Sequence, residues 1–272
     1  QLLKQRQQQL FIGRQRAQEL FRLNFMYQVP EYLIFALHGP AGTGKTTLLQ
    51  RYCAIAEEHG ASTMFVDAAQ ASAIREHTIL RVMTHIARQL AGGGTQLTTF
   101  DERYRQYTES MQSIAEDPAT PAGVFDLLGG IAKTDSEQIH TWDSYLDEKL
   151  MTADQIALVK HPVETLTRAF LKDVGAWATI RHIVLCFDDW DRIGPHLDAW
   201  LREALAPGDL NTNVWIVIAG DEPLGTAWES FRPVTVSLSL QPFTTEETRA
   251  YLSAKNITEA DHISAIWNHG KG

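Results

Sequence analysis

The segment Gly39-Pro40-Ala41-Gly42-Thr43-Gly44-Lys45-Thr46-Thr47 constrains the fold of this chain more than any other. It fits the pattern G-x-x-x-x-G-K-[ST], which has physical meaning only where a buried strand runs into it and a helix runs out. Both are present. Tyr32–Leu37 is an apolar β-type run, and Leu49, Tyr52, Cys53 and Ala56 recur on one face of a following helix. The glycines let the backbone curl so that successive N–H groups point at one anion, and the helix N-terminus adds its positive dipole end. Lys45 is then placed to reach the β- and γ-phosphates of a nucleotide, and the Thr46 hydroxyl to ligate Mg²⁺. Pro40, Ala41, Gly42, Thr43, Gly44, Lys45, Thr46 and Thr47 are the expected nucleotide-binding residues. The Gly92–Gly94 run has no strand before it and no lysine after it, and reads as a helix stop.

A phosphate loop needs a neighbouring strand that ends in a carboxylate to hold the metal. Ile183–Phe187, followed by Asp188 and Asp189, supplies one. Asp188 is expected to bind Mg²⁺, through water, and Asp189, pointing differently, to polarise the attacking water as a general base. Lys45, Asp188 and Asp189 are therefore the catalytic candidates, with Asp191 a further candidate base. The stretch from Lys45 to Asp188 is longer than one strand and two helices require, so the region about 91–162 reads as an insertion.

Around these segments short β-type runs alternate with amphipathic helical ones, the pattern of a mainly parallel sheet flanked by helices. Further strands are expected at Thr63–Val66, His182–Phe187, Val214–Ala219 and Val234–Leu238, all apolar enough to be buried on both faces. Ile79, Val82, Met83, Ile86, Ala87 and Leu90 follow a 3.6-residue period and predict a helix. Phe100, Tyr104, Tyr107, Met111 and Ile114 make a second stripe, and Val163, Leu166, Phe170, Val174 and Trp177 a third. Aromatic stripes of this kind are expected to form core and not a base-stacking surface. Thr244-Thr245-Glu246-Glu247 forms a capping box. Thr258 reads as the cap of another helix, carrying Ile263, Ile266 and Trp267.

The chain has 24 Lys+Arg against 33 Asp+Glu, a formal charge of −9, which weighs against a primary role in gripping nucleic acid. Its two cysteines, Cys53 and Cys186, sit among apolar residues and read as reduced core thiols of a cytoplasmic protein. No apolar run reaches the ~18–20 residues that span a bilayer, so no membrane association is expected. Gln1 in place of a Met, and the abrupt His269-Gly270-Lys271-Gly272, read as cuts in something longer. With no HExxH, no zinc-type cysteine spacing and no G-x-S-x-G elbow, other hydrolytic chemistries find no support.

Four segments, in order, resemble the signal-transduction ATPases with numerous domains (STAND), the branch of AAA+-related P-loop proteins that includes the NB-ARC and NACHT families. Phe11-Ile12-Gly13-Arg14 is similar to the hydrophobic-Gly-Arg motif that opens these domains and lies against the adenine. The phosphate loop and the Asp188-Asp189 strand follow. Leu240-Gln241-Pro242-Phe243-Thr244-Thr245-Glu246-Glu247 is similar to the L-x-P-[LF]-[ST]-x-E-E start of the family's helical lid, where the proline packs near the nucleotide. The resemblance implies an α/β P-loop NTPase fold of the ASCE/AAA-like type, five-stranded with strand order 5-1-4-3-2. It divides the chain into a linker or upstream helix end (1–10), an NTPase domain (11–240) and a truncated helical lid (241–272). Phe11, Ile12, Gly13, Arg14 and Pro242 join the phosphate loop as nucleotide-binding residues, and ATP or ADP with Mg²⁺ is the implied cofactor set.

The implied function is an ATP/ADP-binding signalling switch with slow Mg²⁺-dependent hydrolysis. It would self-associate on ATP binding and answer a protein or ligand trigger sensed by other domains. One position departs from the family. Where an arginine commonly senses the γ-phosphate, Gly220 is followed by Asp221, of opposite charge; Arg192 and Arg232 are candidate replacements. Two other readings stay open: a DNA-processing AAA+ ATPase of initiator or transposition-regulator type, and a nucleotide-stabilised scaffold without useful turnover.

Overall fold

The computed structural model describes residues 14–27, 29–72, 75–123, 136–205 and 212–270. Five strands, β1 (Ile34–His38), β2 (Ser62–Val66), β3 (Ile183–Phe187), β4 (Val214–Gly220) and β5 (Thr235–Ser239), form one sheet in the order β2-β3-β4-β1-β5. All four pairings are parallel. This is the expected order, and every strand lies within two residues of its expected bounds. The fold is an α/β P-loop NTPase fold.

The burial of the strands follows from their place in the sheet. β3 and β4 are buried at every residue and β1 at all but His38. Burial on both faces does not extend to the edges. β5, at one edge, reads Thr-Val-Ser-Leu-Ser and is buried nowhere along its length; β2, at the other, buries only Met64 and Val66. A small polar residue at every second position is what an edge strand tolerates and a central one does not.

The chain divides into two compact units, the first built from Gln1–Ala69, Ala178–Gly194 and Asn211–Gly272. In the first, α1 (Gln15–Asn24) and α2 (Lys45–Glu58) pack on the sheet through Phe21, which stacks on Tyr52 at 4.2 Å and meets Phe35 and Trp215 edge-on. Aromatic pairs in these geometries add about 0.5–1.5 kcal/mol each beyond the area they bury. The Tyr52 hydroxyl donates to the Ala17 carbonyl at 2.9 Å, and burial pushes its pKa up. Buried Asn24 bonds both backbone groups of Tyr32, at 2.7 and 3.0 Å, and so sets the entry into β1. Cys53 on α2 and Cys186 on β3 are free thiols with sulfurs 3.2 Å apart.

The second unit, Gln70–Trp177 and Pro195–Leu210, is helical. It contains α3 (Arg75–Gly92), α4 (Thr98–Ala115), α5 (Ser136–Lys149), α6 (Ala153–Lys160) and α7 (Pro162–Ala178), with most of α8 (Trp190–Leu205). The six apolar residues expected on one face of α3 are all buried. The helix stops as expected: Gly94 adopts φ +81°, and the N–H of Thr95 returns to the Leu90 carbonyl at 2.9 Å. On α4, Phe100 and Ile114 are buried while Tyr104 and Tyr107 are half-buried, so the stripe is core at its ends. Ile114, Trp142, Leu146, Leu150 and Val159 form a separate small core. The region about 91–162 thus carries α4, α5 and α6; Gly129 and Gly130 lie outside the described residues.

After β5 come α9 (Thr245–Ala254) and α10 (Ala260–Gly270). The capping box is complete: Thr244 Oγ1 accepts the Glu247 N–H at 3.2 Å, and the Glu247 carboxylate accepts the Thr244 N–H at 2.8 Å. α10 starts later than Thr258 predicts, with the Ile263 N–H bonded to the carbonyl of Glu259. No helix of the described residues is long and apolar enough to cross a membrane.

Candidate nucleotide site

β1 delivers the chain at His38 and α2 takes it up at Lys45, so the intervening loop lies at the carboxyl end of the parallel sheet. Gly44 caps α2 in the left-handed region at φ +86°, and Gly42 is similar at +85°. At both, an added Cβ would meet no atom within 4 Å, so the backbone conformation alone calls for glycine. Gly39 is different. At φ +151°, its Cβ would stand 2.2 Å from the carbonyl oxygen of Leu240, the first residue of the lid-like motif. That close approach is held by the Leu240 N–H, which donates to the His38 carbonyl at 2.7 Å. Thr43, buried, donates from both its hydroxyl (2.8 Å) and its N–H (3.3 Å) to the Pro40 carbonyl and tightens the loop.

The expected metal-holding pair is brought together. Asp188, 5% exposed at the end of β3, lies near the Thr46 hydroxyl, which favours its charged form. Burial raises the Asp188 pKa; the nearby Thr46 hydroxyl and Asp189 N–H oppose the shift, and the charges of Asp189 and Asp67 add to it. A buried carboxylate beside a hydroxyl, with the charges of two other carboxylates near it, is a donor set that fits a hard divalent cation. The residues present therefore suit Mg²⁺ in the manner expected of a P-loop NTPase.

Asp189 is exposed and sits at φ +52°, with its carbonyl accepting the N–H groups of Arg192 (2.8 Å) and Ile193 (3.2 Å) at the start of α8. Asp191 is engaged elsewhere: its Oδ2 accepts the Asp221 N–H at 2.7 Å. Arg232 pairs with Glu229 at 3.5 Å.

Two contacts were not foreseen. Lys45 Nζ donates to the carbonyls of Gly39 (2.6 Å) and Pro40 (3.0 Å) and to the Asp221 carboxylate at 2.7 Å. The only prior signal was the charge of Asp221 at an arginine position. Arg14, in turn, reaches both the phosphate loop and the lid-like segment. Its Nη2 donates to the Thr43 carbonyl at 3.3 Å and to the Gln241 carbonyl, and its guanidinium lies 5.2 Å from the centre of the Phe243 ring. Burial pulls its pKa below the ordinary arginine value, against the opposing charge of Glu247. Its buried Nε has no partner among the described residues. Pro242 is exposed beside this cluster, and Phe11, Ile12 and Gly13 lie outside the described residues. A groove of about 1070 Å³ opens next to Arg14, lined by α1, β5 and α9.

A parallel sheet with the phosphate loop on an interior strand and a carboxylate ending the strand two places away defines a P-loop ATPase domain. The chain belongs to the AAA domain family, whose model matches residues 31–226. No curated protein matches the sequence. Solved structures similar to it are the Escherichia coli MS115-1 HORMA:CdnC:Trip13 complex (TM-score 0.48, 10% identity, 98% of this chain and 76% of that one), Cdc6p from Pyrobaculum aerophilum (0.49, 13%, 90% and 51%) and the Aeropyrum pernix ORC1 protein in complex with DNA (0.38, 15%, 89% and 47%). The chain spans about half the length of the latter two.

Proposed function

We propose that this chain is the nucleotide-binding module of a STAND-type signalling switch, binding ATP or ADP with Mg²⁺, hydrolysing ATP slowly, and controlling assembly of a larger multidomain protein. The observation that carries the reading is Arg14. One side chain bonds the phosphate loop at Thr43 and the lid-like segment at Gln241 while covering Phe243, so a shift at the loop is felt at the lid. A switch needs such a link, because two nucleotides bias a conformational equilibrium only through contacts that differ between its states.

The roles follow from position. Backbone N–H groups of Pro40–Thr47, proline excepted, cradle the phosphates, and Lys45 bonds their β- and γ-oxygens. Thr46 and Asp188 hold the metal, and Asp189 orients the attacking water. Phe11–Arg14 and Pro242 flank the adenine. Bound Mg²⁺ supplies charge neutralisation at the phosphoryl oxygens. Slow turnover is supported by Lys45, whose ammonium is already saturated by three protein oxygens.

The test is phosphate release and light scattering on the full chain with ATP and with ADP. Lys45→Ala should abolish nucleotide binding. Asp189→Asn should keep binding and lose phosphate release, and ATP should give a larger particle than ADP. Equal mass in both nucleotides would refute the switch. Release unaffected by Asp189→Asn would refute that residue as the base, and no release at all would favour the scaffold. AAA-family membership is equally compatible with a DNA-processing ATPase. Duplex binding with a steep salt dependence would assign the chain to that class instead.

A further inference from the structure

The position of Asp221 is a consequence of sheet register. β1 and β4 run parallel with His38 opposite Gly220, so the next residue on each strand, Gly39 and Asp221, also come together. The Gly39 N–H donates to the Asp221 carbonyl at 3.1 Å, and the Asp221 N–H donates to Asp191 Oδ2 at 2.7 Å. Both backbone groups of Asp221 are therefore held, one by the phosphate loop and one by the start of α8. From that anchored backbone its carboxylate reaches Lys45 Nζ at 2.7 Å.

An ammonium group has three N–H bonds, and Lys45 directs them to Gly39 O, Pro40 O and Asp221 Oδ1. Asp221 is thus an anionic oxygen already seated on the lysine that a nucleotide's terminal phosphate oxygens must engage. A diphosphate places its last phosphoryl group within the loop. A triphosphate places one more, doubly charged, against Asp221 and must draw Lys45 away from it. Both nucleotides compete with Asp221 for Lys45, but the added repulsion falls mainly on the triphosphate, because like charges at contact distance interact strongly while those a few ångströms further into solvent are screened.

We propose that Asp221 is a specificity-determining residue that makes this site prefer a nucleoside diphosphate over the triphosphate, its carboxylate standing where a γ-phosphate oxygen would otherwise meet Lys45. This rests on the nucleotide-binding reading above and deepens it. A residue that senses the γ-phosphate by attraction is replaced by one that opposes it. The diphosphate form becomes the resting form without any change in the phosphate loop itself. Asp191 is a positioning residue for this device, acting through the Asp221 N–H.

The test is calorimetric titration of the full chain with Mg-ADP and with the Mg²⁺ complex of a non-hydrolysable imido-triphosphate analogue. Wild type, Asp221→Asn and Asp221→Ser are compared; both variants remove the charge and keep the backbone anchors. The expected result is that wild type binds ADP more tightly than the analogue. In both variants affinity for the analogue should rise about tenfold or more, equivalent to ~1.4 kcal/mol, while ADP affinity changes less than about threefold. An unchanged ratio, equal gains for both nucleotides, or a loss of analogue affinity in the variants overturns the proposal while ADP binding leaves the nucleotide reading intact. Failure of wild type and both variants to bind either nucleotide overturns the nucleotide reading itself, and this inference with it.

Discussion

The contact between Gly39 and Leu240 yields a prediction that separates two reasons for a glycine in one loop. In Gly39→Ala the new methyl group would stand 2.2 Å from the Leu240 carbonyl oxygen and 3.1 Å from its carbonyl carbon, both backbone atoms that cannot rotate away. Relief requires the end of β5 to move off β1, which breaks the 2.7 Å bond from the Leu240 N–H to the His38 carbonyl. That bond is worth ~0.5–1.5 kcal/mol, and holding an alanine at φ +151° costs ~1–3 kcal/mol. Together the loss is about 3 kcal/mol, or roughly a 6–12 °C drop in melting temperature for a chain of this size. Gly42→Ala is the control. Its Cβ meets nothing within 4 Å and its φ is +85°, so only the left-handed cost of ~1–2 kcal/mol applies. Urea unfolding followed by tryptophan fluorescence measures the two losses. Hydrogen exchange at the Leu240 amide locates them: protection should fall in Gly39→Ala and stay in Gly42→Ala. If both variants lost the same stability and Leu240 stayed protected in each, the steric argument would be refuted.

Three further outcomes follow from the helical unit and the thiols. The Asp173 carboxylate on α7, 8% exposed, accepts the Phe100 N–H at 2.9 Å and satisfies a free donor in the first turn of α4. Asp173→Ala should therefore cost ~1–3 kcal/mol in chemical denaturation, and Asp173→Asn, which keeps an acceptor, clearly less. Hydrogen bonding from Lys149, then from the Ala119 N–H and Tyr145, holds the Asp117 carboxyl down at about 2. A depressed carboxylate stabilises the fold above its unfolded pKa of about 3.9, and that contribution is lost as pH falls toward its folded value. Between about pH 5 and about pH 2 the wild type should lose more urea stability than Asp117→Asn; parallel curves would remove the pair from the account of acid stability. Burial, then the hydrogen bond and charge of Cys53, push the Cys186 thiol up, and its side chain is 0% exposed. An aromatic disulfide reagent should titrate only Cys53 in the native protein and both thiols in denaturant.

What could be read from the residues alone divides by the range of the interaction. The phosphate loop, the Asp188-Asp189 strand and the capping box at Thr244 were legible because each is a local pattern whose chemistry is complete within a few residues. The strands were found by composition, but the expectation that all five are buried on both faces failed at the two edges, most fully for β5. Thr235, Ser237 and Ser239 mark an edge, and edge position is a property of the assembled sheet. Arg14 and Gln241, 227 positions apart, share no pattern that links them, and only the folded chain brings the arginine onto that carbonyl.

Asp221 lies between these cases, and it shows how far a local reading extends once topology is known. Its charge was visible as a departure from the resembled family and was read as a missing γ-phosphate contact. Given the order β4-β1 in a parallel sheet, the residue after β4 must neighbour the residue after β1, which is the first glycine of the phosphate loop. A carboxylate there lies beside the lysine that closes the same loop, and the two meet at 2.7 Å. The substitution is therefore better described as a change of sign in the interaction with the terminal phosphate than as the loss of a sensor. The two descriptions make opposite predictions for removing the side chain: loss of a sensor predicts no gain for the triphosphate when Asp221 is neutralised, whereas a change of sign predicts that neutralising it restores affinity for the triphosphate.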